Sequence, residues 1–122
     1  MSSNDETIHK LEMDISDAKY LVKMMEDLKT LTNNSAFKAI IREGYFKENA
    51  VRLVNLRADP NMQSEKDQAA TLREIDAIGI FRQYLSTINQ MGTTALRSLE
   101  SDERTLEECL AEDLASDGTA NV

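Results

Sequence analysis

The sequence predicts an all-α protein, either a helical bundle or an extended helical hairpin, with three major helices and a short acidic C-terminal helix. Two observations carry this. One proline and four glycines punctuate 122 residues, and apolar side chains recur at steps of three and four, the period of one helix face. Strand-like alternation of apolar and polar residues is weak throughout. With 41% hydrophobic and 30% charged residues, the chain suits amphipathic helices and is too apolar for wholesale disorder.

The first helix is expected over residues 5–31. Ile8, Leu11, Ile15, Ala18, Val22 and Met25 follow alternating three-four steps, the a/d seam of a coiled coil. Leu21 and Leu28 widen the stripe, while Lys10, Asp14, Asp17 and Glu26 occupy the opposite, solvated face. Such a seam can be covered within the chain or by a second copy. Thr32-Asn33-Asn34-Ser35 breaks the pattern, and Asn34 or Ser35 can cap a second helix over 36–58. Gly44-Tyr45-Phe46 interrupts that helix as a kink, a close-packing point or a boundary. A helical glycine costs about 1 kcal/mol relative to alanine.

Asp59-Pro60 marks the next start, with Asp59 as N-cap and Pro60 in the first turn. Ser64 followed by Asp67 is a weaker one. The third helix is expected to reach about residue 90 through Leu72, Ile75, Ile78, Phe81, Leu85 and Ile88. Three-four steps continue through Gly92, Ala95 and Leu99, but Gly92-Thr93-Thr94 combines three poor helix-interior residues, which favours a break or bend there. Thr105-x-x-Glu108 reads as a capping box opening a last helix lined by Leu106, Leu110 and Leu114, with Ser116-Asp117-Gly118 as its stop and a fraying tail. The expected organisation is a helical body over 1–104 and a short acidic helix and tail over 105–122.

Net charge is −8, and its distribution is uneven. Between Glu100 and Asp117, eight acidic residues face Arg104 alone, so this segment carries −7 of the total. The rest is nearly neutral, which argues against nucleic acid as the main ligand, because phosphate binding rests on clustered Lys and Arg. The polar stretch from Met1 to Lys10 has no apolar signal core, and no apolar run approaches a membrane-spanning length. The single cysteine, Cys109, fits a reducing compartment. A soluble chain that does not engage membrane is expected.

Catalytic constellations do not emerge. His9 is the only histidine and has no metal-ligand spacing around it. Cys109 lies among Glu107, Glu108, Glu112 and Asp113, surroundings that disfavour the thiolate a nucleophile needs. These carboxylates lack any Glu-x-x-His or EF-hand pattern, and phosphate-loop and dinucleotide glycine patterns are absent. No enzyme activity, metal or other cofactor is expected.

Three stretches remain as candidate binding surfaces. One is the first-helix seam. The second pairs Arg42-Glu43-Gly44-Tyr45-Phe46-Lys47, continuing through Ala50-Val51-Arg52-Leu53-Val54, with the segment from Ile75 to Leu85 containing Gly79, Phe81, Arg82 and Tyr84. Tyr, Phe and Arg are common interface anchors, although two helices meeting at Gly44 and Gly79 could bury these side chains internally. The third is the acidic helix bearing Leu106, Leu110 and Leu114, which can dock into a basic-rimmed apolar groove, mimic a nucleic-acid backbone, or simply keep the protein soluble.

The stretches Phe37-Lys38, Ile40-Ile41, Glu43-Gly44-Tyr45-Phe46-Lys47, Ala50-Val51-Arg52-Leu53-Val54, Ala58-Asp59-Pro60-Asn61-Met62-Gln63 and Ile75-Asp76-Ala77-Ile78-Gly79, followed by Phe81-Arg82-Gln83-Tyr84-Leu85-Ser86-Thr87-Ile88 and the acidic Leu106-Glu107-Glu108 ending, resemble a group of small helical proteins of tailed bacteriophages. The resemblance covers residues 15–113 and rests on overall pattern. It implies a virion or morphogenesis protein, located in the virion or the host cytoplasm. Its partner would be a larger viral protein, a second copy, or both. The alternative is a regulatory adaptor or inhibitor that binds a host protein through the acidic helix.

Overall fold

The computed structural model of the chain describes residues 3–120, with side chains described as far as Ser116. Among the described residues every regular element is helical, so the fold is all-α. Helix α1 spans Ser3–Asn33. Helix α2 is continuous but changes winding: α over Ser35–Phe37, π over Lys38–Glu48, and α again over Asn49–Ala58. A short 3₁₀ turn, Pro60–Met62, precedes helix α3, Glu65–Ala120.

The chain divides into two compact units, one combining Met1–Glu26 with Asn89–Val122 and the other formed by Asp27–Ile88. In the first unit, α1 and the C-terminal part of α3 pair in antiparallel fashion. Met25 meets Gly92 and Thr93 near one end, and Asn4 reaches the Cys109 carbonyl and the Asp113 carboxylate near the other. On α1, Ile15, Ala18 and Met25 are buried. On α3, Gly92 and Ala95 are buried, and Leu99, Asp102, Leu106, Cys109 and Asp113 are half-buried. These α3 positions alternate strictly in steps of three and four, the seam spacing of a coiled coil.

Gly92 is therefore a contact and not a break. A Cβ at this position would overlap Met25 Cβ and crowd its Sδ at 2.9 Å. Removing the Cβ lets the two backbones approach, which offsets the roughly 1 kcal/mol helical cost of glycine. Thr93 remains helical by donating its hydroxyl back to the Asn89 carbonyl at 2.8 Å. The expected separate helix from Thr105 is likewise absent, because α3 runs through it. The Thr105 hydroxyl donates to the Ser101 carbonyl at 3.1 Å, one turn back, as mid-helix threonines do. The helix also continues past the stop expected at Ser116-Asp117-Gly118 to Ala120. Of the fraying tail expected after Gly118, residues 119–120 belong to the helix and 121–122 lie outside the described residues.

In the second unit one cap follows the sequence expectation and one does not. Asn34 Oδ1 accepts the Phe37 N–H at 3.0 Å and opens α2. Asp59 Oδ1 accepts from Asn61 N–H at 2.9 Å, with Pro60 beside it, but this starts only the 3₁₀ turn. Helix α3 itself starts at the weaker signal, where Ser64 Oγ accepts the Asp67 N–H at 3.1 Å. The Arg57 carbonyl at the end of α2, and those of Asp59 and Met62 after it, find partners in glutamine amides. Gln63 Nε2 donates to Arg57 O and Asp59 O, and Gln68 Nε2 to Arg57 O and Met62 O. Helix ends leave such carbonyls without intrahelical donors.

The π winding of α2 has a packing reason. Phe37 and Leu53 are sixteen positions apart, about 4.4 turns of α-helix, which would place them on nearly opposite faces. Winding with i→i+5 bonds uses more residues per turn, as in the Asn49 N–H bond to the Gly44 carbonyl. Phe37, Ile41, Tyr45 and Phe46 are thereby brought toward the face of Leu53, which is fully buried. Gly44-Tyr45-Phe46, where an interruption was expected, lies inside this π segment, and the helix runs through it without a break.

The glycines give a sharp pair of expectations. Gly92→Ala should destabilise the chain by about 1–3 kcal/mol through overpacking, and Met25→Ala should not recover that loss, because alanine keeps the Cβ that the new side chain meets. Nothing lies within 4 Å of a Cβ built at Gly79, so Gly79→Ala should stabilise by up to about 1 kcal/mol. Urea denaturation followed by helical circular dichroism measures all three; equal effects at the two glycines would contradict the close approach at Gly92.

Candidate protein-interaction surfaces

The first-helix seam is used inside the first unit. Ile15, Ala18 and Met25 are buried, and Ile8, Leu11 and Val22 are half-buried. Their stripe faces α3, so its centre is covered within the chain. What lies open is a groove of about 620 Å³ beside the seam, lined by Asp14, Asp17, Ala18 and Leu21 from α1 and by Gln90, Met91, Thr94, Ala95, Ser98 and Asp102 from α3. Buried Ala18 and Ala95 leave the depression because neither side chain can fill it. Leu21 and Met91 add apolar surface, and the three aspartates are the only charged groups in the lining. The run of small residues Ala18, Gly92 and Ala95 at seam positions was the available sequence signal for it.

The paired aromatic segments do come together, though not at their glycines. Tyr45, Phe46 and Phe81 form a cluster with ring centroids 5.3–6.0 Å apart, the tilted and edge-on range favoured by aromatic quadrupoles. Arg82 lies 5.6 Å above the Phe46 ring, within cation–π reach. A Cβ built at Gly44 would meet only the Ala39 carbonyl of its own helix, at 3.2 Å, and one built at Gly79 would meet nothing within 4 Å. The aromatic rings, and not backbone proximity at glycine, make this contact.

The other members of the second candidate set face outward. Arg52 is exposed and donates to the Asn49 carboxamide oxygen at 3.0 and 2.8 Å, and Tyr84 is 57% exposed. Beside the aromatic cluster is a cleft of about 510 Å³ lined by Thr32, Phe37, Arg42, Phe46, Lys47, Arg82 and Leu85. Lys47 forms an exposed i,i+4 ion pair with Glu43 at 3.5 Å, a contact of small energetic worth.

The leucines of the third candidate set split by register. Leu106 is half-buried on the seam, whereas Leu110 and Leu114 are 43% and 74% exposed. Glu107, Glu108 and Glu112 are exposed around them. Cys109 is half-buried with a free thiol. Among the described residues, no group of three or more His, Cys, Asp or Glu side chains could hold a metal ion, and no helix is long and apolar enough to cross a membrane.

No protein-family model matches the chain, and neither the curated proteins nor the solved structures contain a significant match to it.

Substitution separates core from surface in the aromatic region. Phe81→Ala should cost roughly 2–3 kcal/mol, below the range for a fully buried phenylalanine because Phe81 is only half-buried. Tyr84→Ala should stay within about 0.5 kcal/mol of the parent. Thermal or urea unfolding reads both, and comparable losses would mean that Tyr84 also packs internally.

Proposed function

We propose that this chain is a non-enzymatic structural or assembly protein of a tailed bacteriophage, scaffold-like or chaperone-like, acting through helix-mediated protein binding. The observation that carries the reading is the amount of large apolar surface left outside the intramolecular contacts. Tyr20, Ile40, Ile80, Tyr84 and Leu114 are all more than half exposed. Isolated exposed apolar residues are ordinary, but in a chain this short so many exposed helix positions suit covering by other helices. The acid-lined groove of the first unit adds a concave surface of the same kind. The phage assignment draws its support from the resemblance of residues 15–113.

In this reading the partner is a larger viral protein, a second copy, or both, and the site of action is the virion or the host cytoplasm. A second reading, a regulatory adaptor or inhibitor of a host protein, is favoured by the exposure of Leu110 and Leu114 within the acidic end of α3. Removing everything after Glu100 would be a poor test of it, because Leu106 and Cys109 would be lost from the first unit. Leu110→Asp with Leu114→Asp alters the exposed face and leaves the seam intact.

The expected result is that mass spectrometry finds the protein in purified virions or in assembly intermediates. Absence from both would remove the assembly reading. Capture of a host enzyme by the parent chain, lost in the Leu110→Asp/Leu114→Asp variant, would instead establish the adaptor.

A further inference from the structure

The cleft beside the aromatic cluster and the acidic end of α3 are complementary in both shape class and charge. Phe37, Phe46 and Leu85 give the cleft apolar walls, and Arg42, Lys47 and Arg82 line it with three cations and no carboxylate. Arg82 is held over the Phe46 ring, so its charge stays at the apolar surface. Glu43 shares Lys47 through an exposed 3.5 Å pair, which an incoming carboxylate can displace at little cost.

The acidic end has the matching features. Leu110 and Leu114 are one turn apart on α3 and exposed, and Glu107 lies three residues before Leu110 on the same face. Glu108 and Glu112 are exposed beside them. An i, i+3, i+7 arrangement of acid, leucine and leucine is the form in which a helix presents anchors to a groove. Every copy carries one cleft and one acidic end, so each is available to a second copy.

We propose that the acidic, leucine-bearing end of α3 in one copy docks into the Arg42–Lys47–Arg82 cleft of a second copy, joining chains head to tail. Such a contact is heterologous. Each added copy brings a fresh cleft and a fresh acidic end, and growth continues unless the rotation closes a ring. The inference stands whether or not the protein enters a virion, so virion composition and self-association fail independently.

The test uses the full chain, with mass measured by sedimentation equilibrium over a concentration series. Mass should rise with concentration at about 0.1 M salt. The association constant should fall at least about tenfold at about 1 M salt, where the screening length drops from roughly 10 Å to 3 Å. Leu110→Asp/Leu114→Asp and Arg42→Glu/Lys47→Glu, all at exposed positions, should each be monomeric alone with unchanged helical circular dichroism. Mixed, they should form a one-to-one dimer and nothing larger, since one intact end then meets one intact cleft.

A parent chain that is monomeric throughout the series would overturn the proposal, whether it lacks the contact or makes it within one copy. So would association that ignores salt and survives both variants, or an oligomeric parent whose two variants do not pair. The parent's salt series needs no substituted protein, so misfolding of a variant cannot leave the question open.

Discussion

The first unit depends on the approach of Met25 to Gly92. Coiled-coil seams ordinarily place large aliphatic side chains on both helices. Here α3 contributes Gly92 and Ala95, and α1 contributes Ala18, all buried. The small residues let Met25 lie directly against the facing backbone, and the flexible thioether fills the irregular space that remains. Its Sδ is also within 3.6 Å of the Thr93 hydroxyl. A glycine that weakens an isolated helix thus strengthens the pair, because the lost propensity is small beside the packing gained. The same small residues account for the groove alongside the seam.

In the second unit the constraint is phase. An α-helix carries its apolar face forward at 3.6 residues per turn, and Phe37, Ile41, Tyr45 and Leu53 do not keep that period. The π winding over Lys38–Glu48 resolves the conflict by changing the backbone rather than leaving an aromatic ring in solvent. Tyr45 and Phe46, adjacent in sequence, can then both touch Phe81. The aromatic contacts favour this winding, each such pair contributing about 0.5–1.5 kcal/mol beyond area burial.

Much of this was legible in the sequence because it is periodic or local. The seam from Ile8 to Met25, the Asn34 cap and the Asp59-Pro60 turn each follow from side chains within a few positions of one another. Gly92 and Thr105 were misleading for a common reason. Local propensity treats glycine and threonine as punctuation, whereas their roles here depend on Met25, far away in sequence, and on a helix already formed around Ser101. The unbroken three-four spacing from Ile78 to Leu99 was the better guide. The π winding was not legible, since it answers to Phe81 and Leu53 and not to any propensity of residues 38–48. The groove and cleft were legible only as ingredients: small seam residues in one, aromatics with arginines in the other.

Register connects the fold to the surfaces it offers. A seam of leucines alone tolerates slippage, whereas polar and small groups at defined positions penalise it. Asn4 donates to the Cys109 carbonyl and the Asp113 carboxylate, and Met25 fits only where the facing residue lacks a Cβ. These contacts, near opposite ends of the paired segment, allow one antiparallel alignment. With that alignment set, Leu106 turns toward the seam while Leu110 and Leu114 turn away from it. Their exposure is a consequence of register, and the aspartates lining the groove are brought together in the same way. The features that hold α1 against α3 therefore also decide which apolar and acidic side chains are left for another chain to meet.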